Sequence, residues 1–524
     1  MSVDALRETF HINVVKVDQL EDFLSAQTYR KEITEAYDKI TKNDFVELQT
    51  LCEAPIRQGA TPVYSSKGVA CLKSKHTTSI LTDEPRGDLV DVAWALEHKD
   101  IRLSFGNVVI TRKGSGTIGR ASFYSEKVKR NSDDSLFRVA VDESKADSGY
   151  IAAYLRSFTG ERLLEKGVYG STGQLSLSSG HIRKLPIKVI SPFAQKYIGE
   201  KVRQAERLRA WAKSIKQTLQ EFENDIPVKK YPRTNKKYAI SRTFDLTENR
   251  LDAEFYEDKH IDLNRQFNCE FSSLGALTTG FKYGSSVKAE YVEKGKGIPF
   301  VRGNALTDNE ISSSGIVYLD RSLTDELKNN FLNIGDVMIT RSGTVGVACD
   351  VYEGFDKYAY GSFIINSKPK SEVINPLYLS WYLNSWVGQQ QFRRWENGAV
   401  QLNINTEELA SIEIWIAPNE FQLKVAEQIK LLRAVNRLAQ CLIASAKLLV
   451  EDLIEGQLTE SQLVSAQQAL EAGDDSLDRA LLERMTAEGM DGEGDPLFDD
   501  IDQLYDLLEQ AKQALDADDT MAEA

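Results

Sequence analysis

Two stretches of the chain carry apolar residues in steps of three and four over many turns. In Phe193–Asp225 they are Ile198, Val202, Ala205, Leu208, Ala212, Ile215, Leu219 and Phe222. In Phe421–Glu455 they are Val425, Ile429, Leu432, Val435, Leu438, Leu442, Ala446, Leu449 and Leu453. Such spacing predicts two long amphipathic helices, with stripes suited to a coiled-coil seam. At 1.5 Å per residue, some 30 residues make a rod of about 45 Å. Ahead of each stripe the pattern shifts to short β-type runs, NVVITR (Asn107–Arg112) and DVMITR (Asp336–Arg341), among Gly, Ser and Asn turns. A helical segment follows each run, then a second strand cluster ending at Pro192 or Pro418. Beyond the second stripe, Leu477–Glu488 and Leu497–Leu515 regain helical spacing, joined by MDGEGDP.

The same order of elements occurs twice, and the residues themselves repeat. Gly106–Arg112 matches Gly335–Arg341, and Gly116-Thr117-Ile118-Gly119 matches Gly343-Thr344-Val345-Gly346 once two residues are gapped. YIAAYLRS (Tyr150–Ser157) faces YLSWYLNS (Tyr378–Ser385), and Gly173–Pro192 faces Val400–Pro418. GVACLK (Gly68–Lys73) lies opposite GIPFVR (Gly297–Arg302). Five collinear matches at one offset mark a tandem duplication. The predicted architecture is α+β: lobe, long helix, lobe, long helix, then a helical tail. Two stripes of similar length are most simply buried against each other, as an antiparallel coiled coil. That pseudo-twofold arrangement suits a reader of two DNA half-sites whose centres lie about 34 Å or more apart.

Charge first argues against nucleic acid, because the chain sums to −14. From Glu471 to Ala524, however, eighteen acids stand against three bases, so the residues before Glu471 carry a net +1. The acidity belongs to the tail, which reads as a solvated appendage with marginal helices. The sharper alternatives are a docking element for a partner or a segment that mimics DNA. Val228–Arg242 (VKKYPRTNKKYAISR) has six bases and no acid, and is either a DNA-facing patch or a solvated linker. The absence of a run of about 18 apolar residues excludes a membrane-spanning helix, and the acids near the N-terminus argue against a signal peptide. The five scattered cysteines (Cys52, Cys71, Cys269, Cys349, Cys441) suggest neither a zinc knuckle nor a disulfide framework, so a cytoplasmic protein is expected.

Catalytic constellations are weak. Asn375-Pro376-Leu377-Tyr378 resembles an amino-methyltransferase motif, but Asn and Pro also cap a helix start. The first repeat has Asp147-Ser148-Gly149-Tyr150 there, and no glycine-rich cofactor turn accompanies either. Gly114–Ala121 approaches a P-loop, yet Arg120-Ala121 stands where Lys-Ser/Thr is needed, so turn glycines explain it better. Asp88, Asp91, Glu97 and Lys99 could serve a nuclease but have no clear counterpart in the second repeat. The histidines (His11, His76, His98, His181, His260) are dispersed.

RLDAEFY (Arg250–Tyr256), GDVMITRSGTVG (Gly335–Gly346), the strand-and-proline run before each long helix and the duplicated order together resemble the specificity subunits of type I restriction–modification systems. The resemblance covers roughly residues 20–460. It implies an N-terminal target recognition domain (1–192), a first spacer helix (193–226), a C-terminal target recognition domain (244–418) and a second spacer helix (419–470), with the basic linker (227–243) between the halves, while the acidic helical tail (471–524) falls outside the matching region. It also implies a non-catalytic, sequence-specific subunit of an anti-phage defence complex that reads a bipartite site in double-stranded DNA. Two adenine-methyltransferase subunits and restriction/translocase subunits would be its partners, and S-adenosylmethionine, ATP and Mg²⁺ would be bound by those partners. A stand-alone DNA-binding regulator or defence adaptor with the same lobes is the alternative. If the lobes read DNA, contacts are expected from Lys67, Lys73, Lys75, Arg112, Lys113 and Arg120 in the first. In the second they are expected from Lys282, Lys288, Arg302, Asn304, Arg341 and Ser342. Arg112 and Arg341 hold matching positions beside Gly-rich turns, with a structural arginine satisfying turn carbonyls as the competing reading. The segment Gly280–Gly297 is longer than Gly59–Gly68, so the two lobes are expected to read unlike half-sites.

Overall fold

The apolar stripes fold as anticipated in the computed structural model, which describes residues 15, 17, 20, 24–85, 87–114, 116–170, 175–232, 246, 250–288, 290–398 and 401–523. Most of the basic stretch 228–242 and the start of the chain lie outside them. The first stripe forms a helix from Pro192 to Glu221, closed by a 3-10 turn at Phe222–Asp225. The second runs from Asn419 to Glu455. Every stripe residue except the half-buried Phe222 is buried. The second helix does not continue to residue 470. Gly456, at φ +79°, supplies the left-handed residue that stops a helix, and Thr459 with Gln462 opens a new one over Glu460–Glu471 through a capping box.

The chain divides into two compact units, residues 1–211 with 435–524, and residues 212–434, so both long helices contribute to both. Unit 1 is built on a four-stranded antiparallel sheet in the order Arg57–Gln58, Leu136–Val139, Val108–Thr111, Ala121–Phe123. Unit 2 has Thr278–Tyr283, Ile364–Pro369, Val337–Thr340 and Ala348–Asp350 in the same order, again antiparallel. The inner strands Val108–Thr111 and Val337–Thr340 are buried on both faces, which is why they read as unbroken apolar runs. Equivalent elements open at Phe45 and Phe271, Val108 and Val337, Ser148 and Pro376, and Pro192 and Asn419, all 226 to 229 positions apart.

Single hydrogen bonds recur as well. The Gln195 amide accepts from Asp147 N (3.0 Å) and donates to Ile190 O (3.0 Å). Gln422 does the same with Asn375 N (2.8 Å) and Ala417 O (2.9 Å). Tyr150 donates its hydroxyl to Lys188 O, and Tyr378 to Trp415 O. Each of these tyrosines lies on a helix, Ser148–Arg156 or Pro376–Asn384, and ties it to a strand pair, Phe45–Glu47 with Pro186–Lys188 or Phe271–Ser273 with Glu413–Trp415. The units diverge in their smaller sheets. Unit 1 has a two-stranded pair, Tyr64–Ala70 with Leu89–Val90. In unit 2, Tyr291–Val292, within the longer segment noted above, joins a four-stranded sheet with one parallel pairing.

The tail is not a solvated appendage, which corrects the reading from its charge. Helices Ser476–Glu483 and Ile501–Glu523 flank a small hairpin, Met485–Thr486 with Gly489–Met490. Leu481, Leu482, Met485, Met490, Phe498, Leu504, Leu507 and Ala511 are buried, giving the segment a core that its acid count conceals. Asp478 is buried too, and its carboxylate takes hydrogen bonds from Lys201 Nζ (2.6 Å), Tyr197 OH (2.6 Å) and Tyr505 OH (2.5 Å). Lys201 and Tyr197 lie on the first long helix, so the tail is part of unit 1.

In unit 2, His260 on the helix Asp258–Gln266 is 3% exposed. Burial, with help from Lys259 and nearby arginines, pulls its pKa down to about 4. The unfolded chain therefore takes up a proton near pH 6.5 that the folded chain refuses. Stability contributed by the neutral ring is present above about pH 6.5 and declines as pH falls toward 4, by roughly 3 kcal/mol in all. Urea melts between pH 4 and 7 should show this slope, and His260→Asn should flatten it. Parallel slopes for the two proteins would refute the assignment.

Candidate nucleic-acid interface

Most of the residues that hinted at catalysis are occupied with folding. Asn375 is an N-cap whose side chain accepts from Leu377 N (2.9 Å). Asp147 caps its own helix by accepting from Tyr150 N (2.9 Å) and also holds Arg203. Within the P-loop-like run, Gly119 N donates to Thr111 O (2.9 Å) from φ +79°, and Gly346 N to Thr340 O (2.8 Å) from φ +89°. A Cβ on Gly346 would fall 2.5 Å from the Phe392 ring, so the glycine serves conformation and packing. Asp91 caps the helix Val92–Glu97, while Glu97 and Lys99 are exposed. No cluster of three potential metal ligands occurs among the described residues.

Arg112 and Arg341 sit in matching backbone frames. Arg112 N donates to Ser135 O (2.8 Å) and its carbonyl accepts from Leu177 N (2.8 Å); Arg341 pairs in the same way with Phe363 O (2.8 Å) and Ile404 N (3.0 Å). Both residues leave the end of the inner strand where the neighbouring strands also end. Their side chains then differ. Arg112 Nε donates to Asp134 O (3.0 Å), and Lys113 Nζ reaches Asp134 Oδ2 (2.5 Å). In unit 2 the position of Asp134 is taken by Ser362, and among the described residues no carboxylate pairs with Arg341. Its guanidinium lies over the Tyr283 ring (4.7 Å), with Nε buried and lacking a hydrogen-bond partner among the described residues.

The other candidates divide likewise. In unit 1, Lys73 Nζ pairs with Asp88 Oδ1 (2.8 Å) and lies over the Tyr64 ring, while Lys75 Nζ reaches Asp88 Oδ2 (2.5 Å). Burial lowers the Lys73 pKa, but Asp88 and Tyr64 more than offset it and hold the ammonium above its ordinary value. Lys67 is exposed on the strand Tyr64–Ala70, and Arg120 is half-buried at the Gly-rich turn. Lys73, Arg112 and Lys113 are thus each paired with a carboxylate of their own unit. In unit 2, Lys282, Lys288 and Asn304 are exposed. Arg302 Nε is buried without a hydrogen-bond partner among the described residues, and Ser342 Oγ accepts from Gln401 Nε2 (2.9 Å).

Around Arg341 the fold adds residues that the motifs did not indicate. Phe363 is 50% exposed and Tyr283 39% exposed, both at the strand ends beside Arg341. Gln401 joins them through Ser342. Two exposed aromatic rings, an arginine and a side-chain amide at one sheet end can stack on bases and donate to base edges or phosphates. Only strand register could have revealed this cluster, because Tyr283 and Phe363 come from different strands. No family model and no curated protein matches the chain. Among solved structures, it is similar to the type I restriction–modification S subunit from M. genitalium, at 12% identity over 79% of this chain and 96% of that one, with a TM-score of 0.42. It is also similar to the HsdS subunit from Thermoanaerobacter tengcongensis, at 13% identity over 79% and 97% of the two chains, with a TM-score of 0.26.

Proposed function

We propose that the chain is a non-catalytic, sequence-specific DNA-binding subunit of a type I restriction–modification complex in the cytoplasm. Each half would be a target recognition domain reading one part of a bipartite target. The observation that carries this reading is the duplicated frame that presents Arg112 and Arg341 at equivalent sheet ends, beside loops that differ. The long helices would pair antiparallel along their buried stripes, a view supported by the contact of Phe222 with Phe421, ring centroids 5.7 Å apart. Two adenine-methyltransferase subunits and the restriction/translocase subunits would dock on this frame and bring S-adenosylmethionine, ATP and Mg²⁺ with them. Methylome mapping of cells expressing the chain with such partners should return an asymmetric bipartite motif; a palindrome would sink the claim of unlike half-sites.

Arg341 and Arg112 give a sharper test on a duplex carrying that motif. Arg341→Ala should weaken binding by about 1–3 kcal/mol and relax base preference in one half of the motif only. Arg112→Ala, whose guanidinium is already committed to Asp134, should lower the melting temperature more than the affinity. Equal, negligible changes in affinity for both variants would place the sheet ends away from DNA.

A further inference from the structure

The sheet of unit 1 contains a pairing that folding alone does not favour. Arg57, on its edge strand, stands directly opposite Arg138 in the antiparallel register. Like charges facing each other across two strands destabilise a sheet. Arg138 is anchored by Nε to Asn107 Oδ1 (2.9 Å) and by Nη1 to Asp100 O (3.1 Å). Neither arginine forms an ion pair with a carboxylate among the described residues. Asp100, whose backbone oxygen takes the Arg138 bond, also lines the cavity beside them, and its carboxylate pairs with neither arginine. Both guanidinium-bearing residues, with Gln58 and Gly59, line a cavity of about 150 Å³ that opens at the sheet edge.

We propose that Arg57 and Arg138 form a binding site for a phosphate group of a DNA backbone. Two arginines that face each other across the strands and line one small cavity suit an oxyanion, and an anion bound there would offset the repulsion between them. The second unit gives the pair a context. Lys282 stands opposite Asn366, and Asn366 Nδ2 donates to Asp336 Oδ2 (2.7 Å) where Arg138 donates to Asn107. The equivalent position thus holds one cation rather than two, so the strong phosphate grip belongs to the first half. The proposal rests on the reading of the chain as a DNA binder and extends it from base recognition to backbone contact.

The test uses the full chain and the Arg57→Gln/Arg138→Gln double variant, with a random-sequence duplex in one arm and inorganic phosphate in the other. The logarithm of duplex affinity against that of salt should have a slope smaller by about 1 in the variant, with affinity down on the order of fivefold at low salt. In phosphate-free buffer, Arg57→Gln alone should melt no lower than the wild type, because a repulsion has been removed. Added phosphate should raise the melting temperature of the wild type and not of the double variant. Wild-type binding with an unchanged slope in the variant overturns the proposal and leaves the DNA-binding reading standing. Protection by phosphate that the variant loses, with that same unchanged slope, identifies a small-anion site instead. Absence of duplex binding by the wild type overturns the functional reading itself.

Discussion

Lys201→Ala is expected to destabilise unit 1 by about 3–5 kcal/mol, because it strands a buried carboxylate. Lys201 and Asp478 are each 1% exposed, so water cannot replace the lost ammonium. The two tyrosine hydroxyls on Asp478 would remain, but hydroxyls do not neutralise its charge. The denaturant midpoint should fall, and limited proteolysis should release the tail after residue 471, since Asp478 is its polar anchor to the first long helix. A Lys201→Met/Asp478→Leu pair should recover most of the loss, as apolar replacement of a whole buried ion pair costs little. An Ala variant with an unchanged midpoint and an intact tail would refute the anchor. Burial raises the Asp478 pKa, but Lys201 and the hydroxyls outweigh it and hold it below the ordinary carboxylate value. With a depressed folded pKa, this contribution is present above about pH 4 and is lost as pH falls through the lower, folded value.

That anchor also marks where the sequence stopped being readable. The stripes, the duplicated order and the turn glycines could be read directly, because each rests on spacing, and spacing survives into the helix, strand and turn that it dictates. The caps at Asp147 and Asn375 were legible for the same reason. The tail's helical spacing was legible too, but its eighteen acids gave no sign that the apolar positions from Leu481 to Ala511 are packed beside a buried Asp478. Gly456 and the capping pair Thr459 and Gln462 stood in plain view as a helix break just past the stripe that ends at Glu455, and the expected helix to residue 470 overran them. For the site, the equivalence of Arg112 and Arg341 was legible. Their different fates were not, because the deciding residues, Asp134 and Ser362, lie outside the repeated motif. The opposed Arg57 and Arg138 were equally hidden, as only strand register brings them together.

Arg433→Ala should have an effect of the same size in unit 2, about 3–5 kcal/mol, by uncovering Asp350, which is 2% exposed. The guanidinium spans two strand-end features at once. Nη1 and Nη2 hold Asp350 at 3.1 and 2.5 Å, Nε donates to Asn309 O at 2.8 Å, and the group stacks over the Tyr352 ring at 3.9 Å. Lysine cannot reproduce that fork, so Arg433→Lys should restore only part of the stability. The corresponding residue of the first repeat is Glu206, so this tie belongs to unit 2, and the amides of the first unit should keep their hydrogen-exchange protection. Protection should be lost in Ala348–Asp350 and in its partner Val337–Thr340, the strand that delivers Arg341. Arg433→Ala should therefore also weaken DNA binding, and adding Arg341→Ala to it should cost far less than Arg341→Ala costs in the wild type. Fully additive losses would mean that Arg433 stabilises the unit without positioning Arg341, and the proposed route from helix to sheet to DNA would be broken at that strand.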